Sequence, residues 1–328
     1  MEQQKDLRQQ QLEQWVSDFC GQTLSGESAS SDASFRRYFR FHHQGESLIA
    51  MDAPPETEDC RPFVQVASLF YQAGVHVPVI LAQDLDRGFL LLSDLGHQTY
   101  LDVIDENNAD VLFSDAIVAL IKIQQSSAEG VLPAYDEALL RRELELFPDW
   151  YLTQHLGIDL DSDWRDQLSE LFDDIIQQVL SQGKSFVHRD YMPRNLMVSE
   201  PNPGVIDFQD AVYGPISYDP ICLFKDAFLS WPQQNVEQWL KAYWLQATDA
   251  GLPVPASFDD FLFDCDVMGV HRHLKVIGIF ARICHRDGKP HYLEDVPRFF
   301  NYLREVSHRR PELTGLTALL SKLDGVTG

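Results

Sequence analysis

Residues 186–210 read FVHRDYMPRNLMVSEPNPGVIDFQD. Within this stretch Leu196–Val198 and Gly204–Ile206 are short apolar runs, and Ser199–Pro203 between them holds two prolines and an asparagine. That pattern predicts a β-hairpin centred near Pro201. Asn195 precedes the centre by six residues and Asp207 follows it by six, so their side chains are expected to face each other at the open end. One amide oxygen beside one carboxylate suits Mg²⁺, which takes one or two such ligands and completes its shell with substrate phosphates. Asp190 lies five residues before Asn195, on the loop leading into the hairpin, where it can meet a substrate hydroxyl.

The order His188-Arg189-Asp190, Asn195, then Asp207-Phe208 is that of the protein-kinase catalytic segment. In that pattern His188 braces the loop. A protein kinase follows its metal-binding aspartate with a long activation loop on which a peptide docks. Here only Gln209–Ser217 separates the segment from Tyr218-Asp219-Pro220 and the next helix, and there is no Ala-Pro-Glu landmark. A small substrate fits that spacing better than a peptide.

Upstream, residues 7–20 read as an amphipathic helix, followed by a small-residue loop. Phe35–His42 and Ser47–Asp52 alternate as strands, Phe63, Val66, Ala67 and Phe70 recur at helical spacing, and Val79–Ala82 and Gly88–Leu92 read as two more strands. After Gly96 helical patterns dominate, over 110–127, 136–147, 163–182, 234–247, 259–284 and 292–306. The expected fold is α+β and bilobal, protein-kinase-like, with a small antiparallel-sheet nucleotide-binding lobe over residues 1–95 and a mainly helical catalytic and substrate lobe over 96–328.

The composition agrees: 328 residues, 45% apolar and 23% charged, is ample for two cores. A net charge of −24 argues against nucleic acid or an anionic membrane as partner. The five cysteines are odd in number and form no CxxC pair, and the polar N-terminus has no apolar leader core, so a cytoplasmic protein with reduced thiols, acting as a monomer, is expected.

Beyond the catalytic segment, SSDASFRRYFR at 30–40, MDAPPE at 51–56, DFQDAVYGPISYDP at 207–220 and HRHLKVIGIFARICHRDGKP at 271–290 carry a resemblance. The chain resembles the aminoglycoside phosphotransferase and choline kinase superfamily, and within it the anomeric N-acetylmuramate/N-acetylglucosamine kinases of bacterial cell-wall recycling. The resemblance runs from about residue 10 to 305. It implies ATP as co-substrate, Mg²⁺ as cofactor, Asp190 as the base, Asn195 and Asp207 as metal ligands, and transfer to the anomeric hydroxyl of an N-acetyl amino sugar.

For the nucleotide, the loop holding Ser30, Ser31 and Ser34 stands where kinases carry a glycine-rich phosphate cover, since small side chains let backbone N–H groups approach phosphates. Ser47–Asp52 lacks the phosphate-pairing lysine, and Arg36, Arg37 and Arg40 are the nearby cations. One of the three is expected to substitute, with Arg37 taken as the nucleotide-site residue, the alternative being that all are exposed strand residues. Ser93 and Leu95, in the segment Leu90–Gly96, are expected to flank the adenine. For the sugar, His271, Lys275 and Arg282 share a helix face that could bind an anionic substituent, unless these charges pair with neighbouring carboxylates. Arg141, Arg142, Glu143, Glu145 and Trp150 form a second candidate patch, in which Trp150 either stacks on a sugar or is core, and Asp210 could hydrogen-bond the sugar.

Two other readings stay open on the residues alone. One is a kinase of a different alcohol, of the aminoglycoside, choline or homoserine type; the basic stretch 271–289 argues against the first two, and the net charge of −24 leaves the question open. The other is a nucleotide-binding pseudokinase, motivated by the missing lysine and opposed by the presence of Asp190, Asn195 and Asp207.

Overall fold

Asp6 caps the first helix, Leu7–Cys20 (α1), its carboxylate accepting the Gln9 N–H at 2.8 Å, and Gly21, at φ +67°, ends it. The structure is a computed structural model that describes residues 6–29 and 36–327; the predicted phosphate-loop residues Ser30, Ser31 and Ser34 lie outside them. The chain divides into two units, residues 1–126 with 194–210 and residues 127–193 with 211–328.

In the first unit, Glu27–Ser28 (β1), Arg37–His43 (β2), Glu46–Asp52 (β3), Ile80–Asp84 (β4) and Phe89–Ser93 (β5) form an antiparallel sheet in the order β1-β2-β3-β5-β4. Phe39 and Phe41 on β2, Leu48 and Ala50 on β3, and Phe89 and Leu91 on β5 alternate onto one face. With Leu12 and Val16 of α1 they make one apolar core. The predicted helix around Phe63–Phe70 is Arg61–Gln72 (α2), with Phe63, Val66, Ala67 and Phe70 buried. Tyr100–Val103 (α3) and Ala109–Gln125 (α4) follow. After the chain has formed Lys184–Val187 (β6) in the second unit, Leu196–Met197 (β7) and Gly204–Val205 (β8) return to the first as the predicted hairpin.

The second unit is largely helical: Glu137–Leu144 (α5), a π-helical stretch at Phe147–His155, Ser162–Ser181 (α6), Tyr218–Phe224 (α7), Gln233–Asp249 (α8), Phe258–Asp287 (α9), Val296–Arg309 (α10) and Thr314–Thr327 (α11). Its two-stranded ladder joins β6 to Val212–Pro215 (β9), and β6 delivers the chain directly into His188. The helix expected over 292–306 is shorter than predicted. A 3₁₀ turn at Pro290–Asp295 precedes α10, and Pro297 sits in the first turn of α10, where its missing N–H costs nothing. α11 and the β6–β9 ladder have no counterpart in the predicted elements.

α9 is the axis of this unit, with buried residues on most of its circumference from Phe261 to Ala281. It packs closely on the start of the π-helical stretch: a Cβ on Gly278 would come within 2.4 Å of the backbone carbonyl carbon and oxygen of Leu146. Gly278→Ala is therefore expected to cost about 2 kcal/mol of stability. Thermal unfolding followed by circular dichroism checks this, and an unchanged midpoint contradicts the packing.

Candidate active site

The hairpin holds together before any side chain is considered. Leu196 pairs with Val205 and Met197 with Gly204, and Ile206 N–H donates to the Asn195 carbonyl at 3.1 Å. Asn195 is thus opposite Ile206, one position short of the direct opposition with Asp207 that the sequence spacing suggested. Asp207 adopts the left-handed region at φ +63°, costly for a residue with a Cβ, by roughly 1–3 kcal/mol. The two side chains still meet, with Asn195 Nδ2 3.3 Å from Asp207 Oδ2 and Gln209 Nε2 donating to Asp207 Oδ1 at 3.0 Å. Asn195 is buried and Asp207 exposed.

The surroundings explain how the strained position is kept. Phe208 is fully buried, its ring 4.9 Å from that of Phe63 and 5.8 Å from that of Phe70, so α2 anchors the residue after Asp207. Val205 N–H donates to the His76 carbonyl at 2.7 Å and Val198 N–H to the Gln98 carbonyl at 2.9 Å. At the hairpin's tip Asn202 Nδ2 reaches Tyr100 Oη at 2.8 Å and Asp115 Oδ2 at 2.7 Å.

Asp190 lies in the second unit, and the loop that carries it is also strained. Arg189 has φ +76°. Asp219, fully buried at the start of α7, accepts two consecutive backbone N–H groups, from His188 at 2.7 Å on Oδ2 and from Arg189 at 3.0 Å on Oδ1. Burial pushes the Asp219 carboxyl up to about 7 against these two donors. His188 is fully buried, and its Nδ1 accepts the Asp190 N–H at 3.3 Å. Asp190 is half-buried. A loop clamped by one carboxylate through two backbone bonds presents its following carboxylate in a fixed direction, as a residue that orients or deprotonates a hydroxyl must.

A model of the phosphotransferase enzyme family matches residues 25–259. The chain belongs to this family. It is 59% identical, over 97% of each chain, to the N-acetylmuramate/N-acetylglucosamine kinase of Pseudomonas aeruginosa. The fold is that of solved family members. Choline kinase LicA from Streptococcus pneumoniae aligns with a TM-score of 0.63 at 12% identity, covering 91% of this chain and 99% of its own. An ADP-bound aminoglycoside phosphotransferase aligns at 0.56 and 14%, covering 89% and 97%. The protein is thus a bilobal α+β kinase of the phosphotransferase type.

The arginines near the strand that lacks the lysine divide by their partners. Arg37 is committed elsewhere: it pairs with Asp52 at 2.5 Å and with Asp6, in a network that Arg8 joins by its own 2.5 Å contact with Asp52. The assignment of Arg37 to the phosphates is corrected on this ground, since its charge is spent on α1 and the end of β3. Arg40 pins the segment after β5, contacting Asp94 at 2.5 Å and the Gly96 carbonyl at 2.7 Å. Arg36, just before β2, pairs with Glu58 at 3.0 Å. Burial works against its charge, and Tyr38, Glu58, Asp210 and Asp207 together hold it protonated. Ser93 exchanges backbone and side-chain hydrogen bonds with Val79. Leu95 is buried, its Cδ1 2.8 Å from where a Cβ on Gly204 would stand.

The basic face of α9 is internal. His271 is fully buried with Nε2 on the Leu140 carbonyl at 3.1 Å, and burial lowers it to about 4, so it is neutral at pH 7. Lys275 pairs with Glu143 at 2.9 Å and donates to Tyr218 Oη at 3.1 Å. The anion-binding expectation for His271, Lys275 and Arg282 is corrected accordingly: Lys275 already has a carboxylate partner, Arg282 is half-buried near Arg286, and these side chains form no common exposed face. Trp150 packs on the apolar core of the second unit, while Arg142 and Glu145 are exposed on and just after α5. Asp210 is exposed and accepts from Gln209 Nε2 at 3.3 Å. Sequence reasoning grouped Glu143 with a surface sugar patch rather than with the loop, and it missed Asp219. Asp219 had one usable signal, an acid within the apolar run that follows the catalytic segment.

Among the described residues no group of three or more His, Cys, Asp and Glu forms a metal cage. Asn195 and Asp207 carry the amide and carboxylate oxygens that Mg²⁺ takes from a protein when phosphates supply the rest; Asn195 here turns its amide nitrogen to Asp207, and rotation of that amide would present its oxygen, so the residue types fit that ion.

Glu143 shows how the second unit depends on charge. Burial works against its ionised form, yet Lys275 and Arg189 hold its carboxyl down at about 2, below the usual 4.5. A depressed carboxyl stabilises the fold above its unfolded pKa and ceases to do so as pH falls through the folded value. Glu143→Gln is therefore expected to lose about 3 kcal/mol at pH 7, with two buried cations left short of a partner. The gap to the parent should shrink as pH falls from about 4.5 to about 2. Denaturant titrations across that range measure it, and a gap independent of pH contradicts the assignment.

Proposed function

We propose that the protein is an ATP-dependent kinase that phosphorylates the anomeric hydroxyl of N-acetylmuramate or N-acetylglucosamine, giving the sugar 1-phosphate in peptidoglycan recycling. The observation that carries the reading is 59% identity, along essentially the whole chain, to a kinase of that name. Asp190, Asn195 and Asp207 supply the chemistry. Asp190 orients the anomeric hydroxyl and takes its proton as the new oxygen–phosphorus bond forms and the bond to the ADP oxygen breaks. An anomeric hydroxyl is the most acidic of a reducing sugar, so a carboxylate suffices as base. Asn195 and Asp207 would hold Mg²⁺, which supplies neutralisation of phosphate charge when bound. Arg36 is the cation best suited to replace the lysine. It has a carboxylate partner in Glu58, as the lysine of this fold has its glutamate, and it shares a field with Asp207. Residues 1–95, with Ser30, Ser31, Ser34, Ser93 and Leu95, take the nucleotide. The second unit takes the sugar. No described helix is long and apolar enough to cross a membrane, and a monomer working in the cytoplasm fits these substrates.

The test is a product assay. The purified protein is given Mg-ATP with N-acetylmuramate, N-acetylglucosamine, glucose, choline or an aminoglycoside in turn, ADP release is followed, and the new phosphate is located by phosphorus NMR. A 1-phosphate on the N-acetyl sugars is expected. Turnover confined to another alcohol would overturn the substrate assignment. Asp190→Ala is expected to lower kcat by at least about a thousandfold while ADP still binds, and near-parental turnover in that variant would remove Asp190 from the reaction.

A further inference from the structure

The loop that carries Asp190 is held from two sides. Asp219 binds its backbone, and the Arg189 side chain runs the other way, to Glu143 near the end of α5, in a close Nη2–Oε1 contact. Glu143 is itself over-determined. Lys275 of α9 contacts the same Oε1 at 2.9 Å, Tyr135 donates its hydroxyl to Oε2, and Glu143 is only 5% exposed. The Arg189 guanidinium lies over the Tyr135 ring, 5.7 Å from its centroid, and Tyr135 is held in turn by the Tyr213 carbonyl at 2.8 Å and by the bare Cα of Gly214. A side chain on Gly214 would place Cβ 2.6 Å from Tyr135 Cβ. All of this converges on one residue with φ +76°, immediately before Asp190.

In kinases regulated by phosphorylation, a segment is ordered when a phosphate is added opposite an arginine. Here a resident carboxylate already faces Arg189. We propose that Glu143 is a positioning residue for phosphoryl transfer: fixed by Lys275 and Tyr135, it holds the Arg189 guanidinium and so keeps the left-handed turn that aims Asp190, making the catalytic loop permanently ordered without modification. The proposal rests on Asp190 being the group that engages the acceptor hydroxyl. Charge is the point of the arrangement. A half-buried arginine at a strained backbone position favours a full counter-charge in a fixed place, and a neutral side chain of the same shape can accept a hydrogen bond but cannot supply that charge.

The test compares the full-length parent with Glu143→Gln, Arg189→Met and the double variant. Each single substitution is expected to lower kcat about 100-fold, with KM for sugar and nucleotide within about threefold of the parent, as for a misaimed base rather than a lost binding contact. Because the pair acts as one unit, the double variant should be no slower than the slower single one. Hydrogen exchange of a peptide spanning residues 186–192 is expected to rise in each variant while peptides from α6 stay protected, a readout that does not depend on the acceptor. If Glu143→Gln fails to fold, Arg189→Met alone decides. A folded Arg189→Met protein with kcat within about threefold of the parent, multiplicative losses in the double variant, or unchanged exchange at 186–192 overturns the proposal. Failure of the parent itself on N-acetyl sugars would leave the exchange arm standing and would count against the substrate assignment instead.

Discussion

One buried carboxylate sets the terms for the catalytic half of the second unit. Asp219 takes the N–H groups of His188 and Arg189, and a carboxylate serving two successive amides leaves the chain between them little freedom. The left-handed turn at Arg189 is the local cost, and the rest of the unit is arranged to meet it. β6 feeds the turn from one side. The side-chain cluster of Glu143, Lys275 and Tyr135 secures it from the other. Taken singly these buried ions would destabilise the fold. In the cluster Glu143 serves both Arg189 and Lys275, and what the cluster secures is the turn before Asp190.

The first unit solves a different problem with apolar means. Asp207 is exposed and also left-handed, and its carboxylate meets the side-chain amides of Gln209 and Asn195. Its neighbour Phe208 supplies the constraint by inserting between Phe63 and Phe70 of α2, and the short ladder with Asn195 at its end does the rest. The two expected magnesium ligands therefore stand on a hairpin whose position is set by packing. Solvent can reach the carboxylate, as exchange of ions and nucleotides requires.

Much of this was legible in the sequence because it is local. Turn residues and apolar runs mark the hairpin, periodicity marks α1, α2, α4, α6, α8 and α9, and the spacing of Asn195 and Asp207 marks their meeting at its open end. What failed was long-range or depended on the partners of adjacent residues. Arg36 and Arg37 are adjacent on the chain, but Arg36 pairs with Glu58 and Arg37 with Asp52 and Asp6. Pairing of Arg37 with Asp52 in the β2–β3 ladder settles which of them reaches α1. The basic stretch of α9 looked like a ligand face because its partner, Glu143, is far away in sequence, and a helical wheel does not show whether a face is covered. Gly278, on that same face, was the available hint of close packing. The π-helical stretch over Phe147–His155 carries no periodic signature of its own, and the pattern there reads as a plain helix end.

A kinase site of this kind requires the hairpin to be its metal-bearing end. The most direct test is calorimetric titration of ADP, with and without Mg²⁺, into the parent and into Asp207→Ala. Mg²⁺ is expected to tighten ADP binding to the parent by about tenfold or more and to have no such effect on the variant. Equal dependence on Mg²⁺ in the two proteins would contradict the metal assignment, because the ion would then be held somewhere other than Asn195 and Asp207.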